Sequence, residues 1–228
     1  MATVDLATAS LRDLNGALHR LSPDSNDRHW RVLNPRGRHA LAVGLDVPVT
    51  VEIEGSVGYY CAGMNKQATV IVNGSAGQGV AENMMSGLVH VKGDASSAAG
   101  ATACGGLLVI DGNASARCGI SLRGLDIVVR GSVGHMSAFM AQAGNLVVLG
   151  DAGEHLGDSI YEARLYVRGA VKSLGTDCVE KELRPEHLAD LRRILDAAGV
   201  TDVAPSEFRR YGSARRLYNF HIDNIGAY

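Results

Sequence analysis

The sequence predicts an all-β solenoid: a right-handed parallel β-helix of about seven 19-residue rungs, with short terminal helices. Three observations predict it. Glycine recurs at Gly55, Gly74, Gly93, Gly112, Gly131, Gly150 and Gly169, a step of nineteen residues with no slip. Apolar residues stand in fixed columns around it. Four before each glycine are Val51, Val70, Val89, Leu108, Ile127, Leu146 and Leu165, and two before are Ile53, Val72, Val91, Ile110, Val129, Val148 and Val167. The composition agrees, with 46% hydrophobic residues, only 5% aromatic and 28 glycines in 228 residues, which suits thin repeated layers better than a globular core.

The first segment, 1–48, reads as an N-terminal helix and cap. It has no continuous apolar run, so it is expected to be neither a signal peptide nor a membrane span. Within it, 10–21 places Leu11, Leu14, Leu18 and Leu21 at helical spacing. The apolar stretch 40–49 is expected to start the column.

The β-helix is expected over 49–180. Period-two alternation ending at a glycine reads as a short strand with one buried face and then a turn. Such a turn can demand a positive φ, which glycine adopts cheaply, so the seven glycines are expected to be structural turn residues. Two after each glycine stand small apolar residues, Val57 to Val171, and seven after stand Ala62, Ala81, Gly100, Gly119, Ala138, Gly157 and Thr176. The second column marks an interior too narrow for larger side chains. Stacked at about 4.8 Å, seven coils make a column about 34 Å tall, and each coil has a perimeter of about 60 Å. Hexapeptide helices, leucine-rich repeats and helical repeats do not fit this period or this glycine density.

The last segment, 181–228, reads as a C-terminal helix and interface tail. Pro185 suits a first helical turn, Leu188, Leu191 and Leu195 share a face, and Gly199 ends the helix. The tail interleaves Arg209, Arg210, Arg215 and Arg216 with Tyr211, Tyr218 and Phe220. Arginine and tyrosine are favoured at protein interfaces, so Arg209, Arg210, Tyr211, Arg215, Arg216 and Tyr218 are the candidate partner interface.

The formal net charge of −2 makes no electrostatic case for nucleic acid or an anionic membrane. Cys61, Cys104, Cys118 and Cys178 include no CxxC pair, which favours a reduced, cytoplasmic setting over a disulfide or metal framework. Cys104 and Cys118 fall in neighbouring rungs and read as buried small hydrophobes. GQGVAE at 77–82 lacks the context of a phosphate loop. Asp94, Asp111, Asp151, Glu154 and Asp158 cluster on turns. They could serve a polysaccharide hydrolase, but they read better as turn residues. His90, His135 and His155 show no metal-ligand spacing. Met84, Met85, Met136 and Met140 form an adaptable surface if exposed and fill gaps if buried. No catalytic, cofactor or metal residue is therefore expected in this chain.

The rungs VTVEIEGSVG (49–58), ATVIVNGSAGQGVA (68–81) and DIVVRGSVG (126–134) resemble the GXGXG domain, the C-terminal β-helix of the glutamate synthase large subunit. The resemblance covers roughly 49–178. It departs where the second glycine, kept at Gly58, Gly77, Gly134 and Gly153, becomes Ser96, Ser115 and Lys172. The chain looks like a stand-alone version, similar to the small β-helix subunit of N-methylglutamate synthase (methylamine–glutamate N-methyltransferase). That resemblance implies a non-catalytic structural subunit of a hetero-oligomer. It also implies a glutamine amidotransferase-like partner and a synthase-like partner holding FMN and an iron–sulfur cluster. A scaffold in another glutamate synthase or a formylmethanofuran dehydrogenase-type complex is the alternative within the same resemblance.

Overall fold

Strand and turn alternate along the chain because each glycine-closed rung buries every second residue. The computed structural model describes residues 1–217. In chain order the elements are β1 (Ala2–Asp5), α1 (Leu11–His19), β2 (His29–Leu33), β3 (Thr50–Glu54), β4 (Thr69–Val72), β5 (Leu88–Val91), β6 (Leu107–Ile110), β7 (Arg123–Val129), β8 (Ala143–Val148), β9 (Arg164–Val167), β10 (Cys178–Lys181), α2 (Pro185–Ala197) and β11 (Arg209–Ser213). Among the described residues, eleven strands form one sheet, in the order β1-β2-β3-β4-β5-β6-β7-β8-β9-β11-β10. The predicted parallel β-helix is present. From β3 to β9 each strand pairs parallel with the next at an offset of nineteen, as in Val51↔Val70, Val89↔Leu108 and Leu146↔Leu165, save at the start of β7, where Arg123↔Ala143 is offset by twenty. The column two after each glycine forms a second stacked line, from Val57↔Ala76 to Ala152↔Val171. The inward residues of both lines build one continuous interior core.

The rung glycines have a different cause from the one expected. Of the seven, Gly55 alone has a positive φ, +132°. The others are needed because their backbones stack. A Cβ on Gly74 would lie 2.6 Å from both the carbonyl carbon of Gly55 and the nitrogen of Ser56, and one on Gly150 would lie 2.6 Å from Ser132 Oγ. The glycine backbones are themselves bonded in series. Gly112 N donates to Gly93 O at 3.0 Å, Gly131 N to Gly112 O at 3.0 Å, and Gly150 N to Gly131 O at 2.9 Å. Close approach of two backbones, not handedness of the turn, excludes a side chain here.

The residue after each rung glycine carries a second ladder. Ser56, Ser75, Asp94, Asn113, Ser132 and Asp151 each accept, through a side-chain oxygen, the backbone N–H of the residue nineteen further on. The distances run from 2.7 Å (Asn113 N to Asp94 Oδ1) to 3.1 Å (Ser75 N to Ser56 Oγ). These bonds satisfy turn amides that the strand ladder does not reach.

Left-handed backbone occurs elsewhere in the coil. Five, seven and nine residues after the glycine, φ is positive in six successive coils, for example Met136, Ala138 and Met140 at 54–58°. Most of these positions are not glycine, and each strained residue costs on the order of 1 kcal/mol. Stacking offsets that cost. Ala81 N donates to Cys61 O in the rung before, while Asn83 N donates to Ala101 O in the rung after. The Ala/Gly column seven after the glycine is as narrow as its composition suggests. A Cβ on Gly100 would stand 2.7 Å from Ile127 Cδ1.

The column extends beyond the repeat at both ends. β1 and β2 are parallel members of the same sheet, so 1–48 contributes strands as well as a helix. The β2–β3 offset is twenty-one (His29↔Thr50), which hides this coil from a nineteen-residue search. Helix α1 then closes the first coil. Ser10 Oγ accepts from Asp13 N at its N-terminus, and Leu14 and Leu18 are buried. Asn15 takes the place of a missing rung: its Nδ2 donates to Ala40 O at 2.8 Å, and its Oδ1 accepts from Ala42 N at 3.0 Å. At the other end β10 and β11 pair antiparallel, and β11 pairs antiparallel with β9.

Helix α2 lies on the outer face of the later strands. Three before each glycine, the outward residues are Glu52, Ile71 and His90, then Val109, Val128, Val147 and Tyr166. The last four form a second core with Leu191, Ile194 and Leu195 of α2 and Phe208 beyond it. Gly199, at φ +68°, ends the helix. Arg130 Nη2 donates to the carbonyls of Ala198 and Gly199 there, at 3.2 and 3.1 Å, where a cation complements the helix dipole.

Two outcomes are expected in chemical denaturation. Gly131→Ala, which forces a Cβ against the Gly112 backbone, lowers stability by about 1–3 kcal/mol. Asp94→Ala leaves the Asn113 amide without its acceptor and costs about 1–3 kcal/mol, whereas Asp94→Asn keeps an acceptor oxygen and most of that stability.

Candidate partner interface

The arginine and tyrosine tail is not a free arm. The segment Arg209–Ser213 is the strand β11, seated between β9 and β10. Strand alternation divides its side chains. Tyr211 pairs in register with Leu165 and is only 2% exposed, inside the column core. It therefore cannot serve as the contact residue that its type suggests, and its burial corrects that expectation. Arg210 pairs with Tyr166 on the outer side and is half-buried. Its Nε donates to Glu182 O at 2.9 Å.

The remaining tail residues are tied to the end of the column. Arg209 is exposed, yet its Nη2 donates to Gly169 O at 2.9 Å, and its guanidinium carbon lies 5.9 Å from the Tyr211 ring centroid. Arg215 binds Glu162, with Nη2 and Oε1 2.8 Å apart. Arg216 donates its backbone N–H to Asp177 Oδ1 at 3.0 Å, leaving its own side chain outward. Ser213 Oγ donates to the other oxygen of Asp177 at 2.7 Å. Burial pushes the Asp177 carboxyl up, but the hydrogen bonds from Ser213 and from successive backbone amides outweigh it and hold the group below its ordinary value. Tyr218 lies outside the described residues. The anchoring partners Glu162 and Asp177 carried no sequence signal, because they stand far from the tail along the chain.

A second exposed strip runs along a turn edge of the column. Met64, Met85 and Met140 are 47%, 49% and 45% exposed, Cys104 is exposed as well, and Met84 is fully buried. The methionines thus divide between the two roles open to them. Exposed Cys104 differs from the buried small hydrophobe expected of it. Tyr59, also exposed, stacks on His39 with ring centroids 3.6 Å apart. Cys61 and Cys118 are buried in the interior, and burial pushes both thiols up to about 12, far from a reactive thiolate at neutral pH.

The turn acids are engaged in structure. Asp94 and Asp151 belong to the amide ladder. Asp111 lies 2.9 Å from His90 Nε2 and 3.1 Å from Arg130 Nε, with Lys92 at 3.6 Å. Asp158 accepts from Thr176 N, and Glu154 pairs with Lys172 at 2.9 Å. No group of three or more His, Cys, Asp or Glu among the described residues is arranged to hold a metal. No helix among them is long and apolar enough to cross a membrane.

The chain is 66% identical over 228 residues to Protein GlxC of Rhizobium meliloti (strain 1021), an alignment spanning the whole of both proteins. The chain belongs to the GlxC family. No protein-family model matches the sequence, and no solved structure matches it.

The Asp177 contacts give a pH-dependent expectation. A depressed folded value means that this contribution is complete above the ordinary carboxylate range, about 4, and is lost as pH falls through the lower folded value. The thermal midpoint of Asp177→Asn should lie below that of the natural chain at pH 7, and the gap should close as pH drops below about 4.

Proposed function

We propose that the chain is a non-catalytic structural subunit of a glutamate-synthase-like complex of the N-methylglutamate synthase type, which converts methylamine and glutamate to N-methylglutamate and ammonia. The observation that carries this reading is the rung: seven glycine-closed coils in unbroken nineteen-residue register, the feature by which the chain resembles the GXGXG domain. Membership of the GlxC family is consistent with it. The turn carboxylates that a polysaccharide-cleaving β-helix would need are engaged in amide ladders and ion pairs instead.

In this reading the column fixes the separation of two partners. One is a glutamine amidotransferase-like subunit. The other is a synthase-like subunit that binds FMN and an iron–sulfur cluster, so this chain needs no cofactor of its own. The exposed methionine edge and the outward side chains of Arg209 and Arg216 supply contact surface, and the complex works in the cytoplasm. A rigid spacer suits the task because stacked backbone bonds leave each coil little freedom to flex.

The test is affinity capture of the tagged chain from its native cell, read by mass spectrometry and visible absorption. The expected eluate carries a flavin and iron–sulfur spectrum, an amidotransferase-like chain and a synthase-like chain. Deleting this chain should separate the two partners while the synthase-like subunit keeps its spectrum. A colourless eluate holding a single chain would overturn the reading.

A further inference from the structure

A groove of about 550 Å³ opens where the C-terminal edge of the sheet meets the start of α2. Arg164, Lys181, Arg184, Arg210 and Arg215 all line it. Two of these cations stand out. Lys181 of β10 and Arg210 of β11 are direct cross-strand partners, a placement in which like charges repel. Neither makes an ion pair among the described residues. The hydrogen bond found for Arg210 goes to a backbone carbonyl, that of Glu182. No acid forms an ion pair with either cation among the described residues. Glu162 is engaged by Arg215, Glu182 by Arg184 and Asp190 by Arg164, while Glu186 lines the wall beyond ion-pair distance and acts on Arg210 only through its charge.

Two further features belong to the same place. Tyr166, in register with Arg210, is fully buried behind the groove, and its hydroxyl faces the Arg164 guanidinium. Gly212, which pairs with Val179 on β10, also lines the groove. A Cβ there would meet nothing nearer than Ala163 O and Lys181 Cγ, both at 3.8 Å, so the floor beneath the cations is open. Burial, first of all, lowers the Arg210 guanidinium from its ordinary value; the neighbouring Arg164 and Arg184 charges push the same way, against Tyr166 and Glu186.

We infer that this groove is a binding site for a small dianionic oxyanion, a dicarboxylate or a phosphate ester, held between Arg210 and Lys181 with Arg164 at its side. Guanidinium groups take carboxylate and phosphate oxygens through paired hydrogen bonds, and the lysine adds a point charge. Two unpaired cations match two negative charges. The volume lies in the range of small-molecule sites. The inference rests on this edge of the sheet alone and holds whether or not the chain joins a glutamate-synthase-like complex.

Calorimetric titration of the full chain at low ionic strength tests it, with succinate and inorganic phosphate as probes and chloride as a monovalent control. One saturable site is expected, with a dissociation constant below about 1 mM for at least one dianion. The probe that binds tighter names the source, carboxylate or phosphate. Arg210→Gln and Lys181→Gln should each weaken binding at least about tenfold, the loss of one charge-assisted contact. Gly212→Asp, which the backbone accommodates, should do the same by placing a carboxylate beside the two cations, and it serves if either charge variant fails to fold. Arg12→Gln, on α1 at the far end of the column, should change nothing. Absence of saturable binding by both dianions up to about 10 mM, or binding unchanged in all three groove variants, would overturn the inference.

Discussion

Hydrogen bonds between residues nineteen apart hold each coil of this column to the next, and almost everything else in the chain accommodates them. Glycine backbones bond to glycine backbones, and the side chain after each glycine bonds to the amide one coil on. Together they leave no room for a Cβ at the stacking point. The left-handed positions later in each coil follow from the same demand. They turn alternate amides toward opposite neighbours, so one rung bonds both the rung above and the rung below. Local strain that an isolated coil would not sustain persists because every coil has a neighbour.

An ordered stack leaves two problems, its ends and its outer face. The first end is closed by α1, whose Asn15 supplies to Ala40 and Ala42 the donor and acceptor of a preceding rung. The last is closed by a reversal of strand direction, with β11 returning to pair against β9. The outer face is apolar beside the later strands, and α2 covers it there. Beside the earlier strands it carries Glu52 and His90 on either side of Ile71, and no helix among the described residues covers it. The two helices thus do different work, one on the axis and one on the flank.

Much of this was legible in the sequence, for physical reasons that also mark its limit. The rung glycines and the alternating Val, Ile and Leu before them repeat at constant spacing because equivalent residues occupy equivalent places. Helix α2 was legible because Pro185 and Gly199 bound it. The coil containing β2 was hidden because its offset is twenty-one, and β11 was hidden because a strand rich in arginine does not look like part of a core. The burial of Tyr211 follows from pairing with β9, a contact between distant parts of the chain. Two further signals lie in the sequence. Ser56, Ser75, Asp94, Asn113, Ser132 and Asp151 form a column of short oxygen-bearing side chains. The column three before each glycine changes midway from a mixed set, Glu52, Ile71 and His90, to valine. As for the candidate interface, the sequence exposed its residue types but not their division between the interior and the rim.

The change of character along the outer face has a consequence for how such a chain can vary. In the first coils, where no helix lies across the strands, one nineteen-residue unit could be gained or lost without altering any other bond pattern. In the later coils the same edit would shift α2 off its strip of valines. Length is therefore adjustable in whole steps of about 4.8 Å, from one half of the molecule only. The column behaves as a ruler with a movable end and a fixed one.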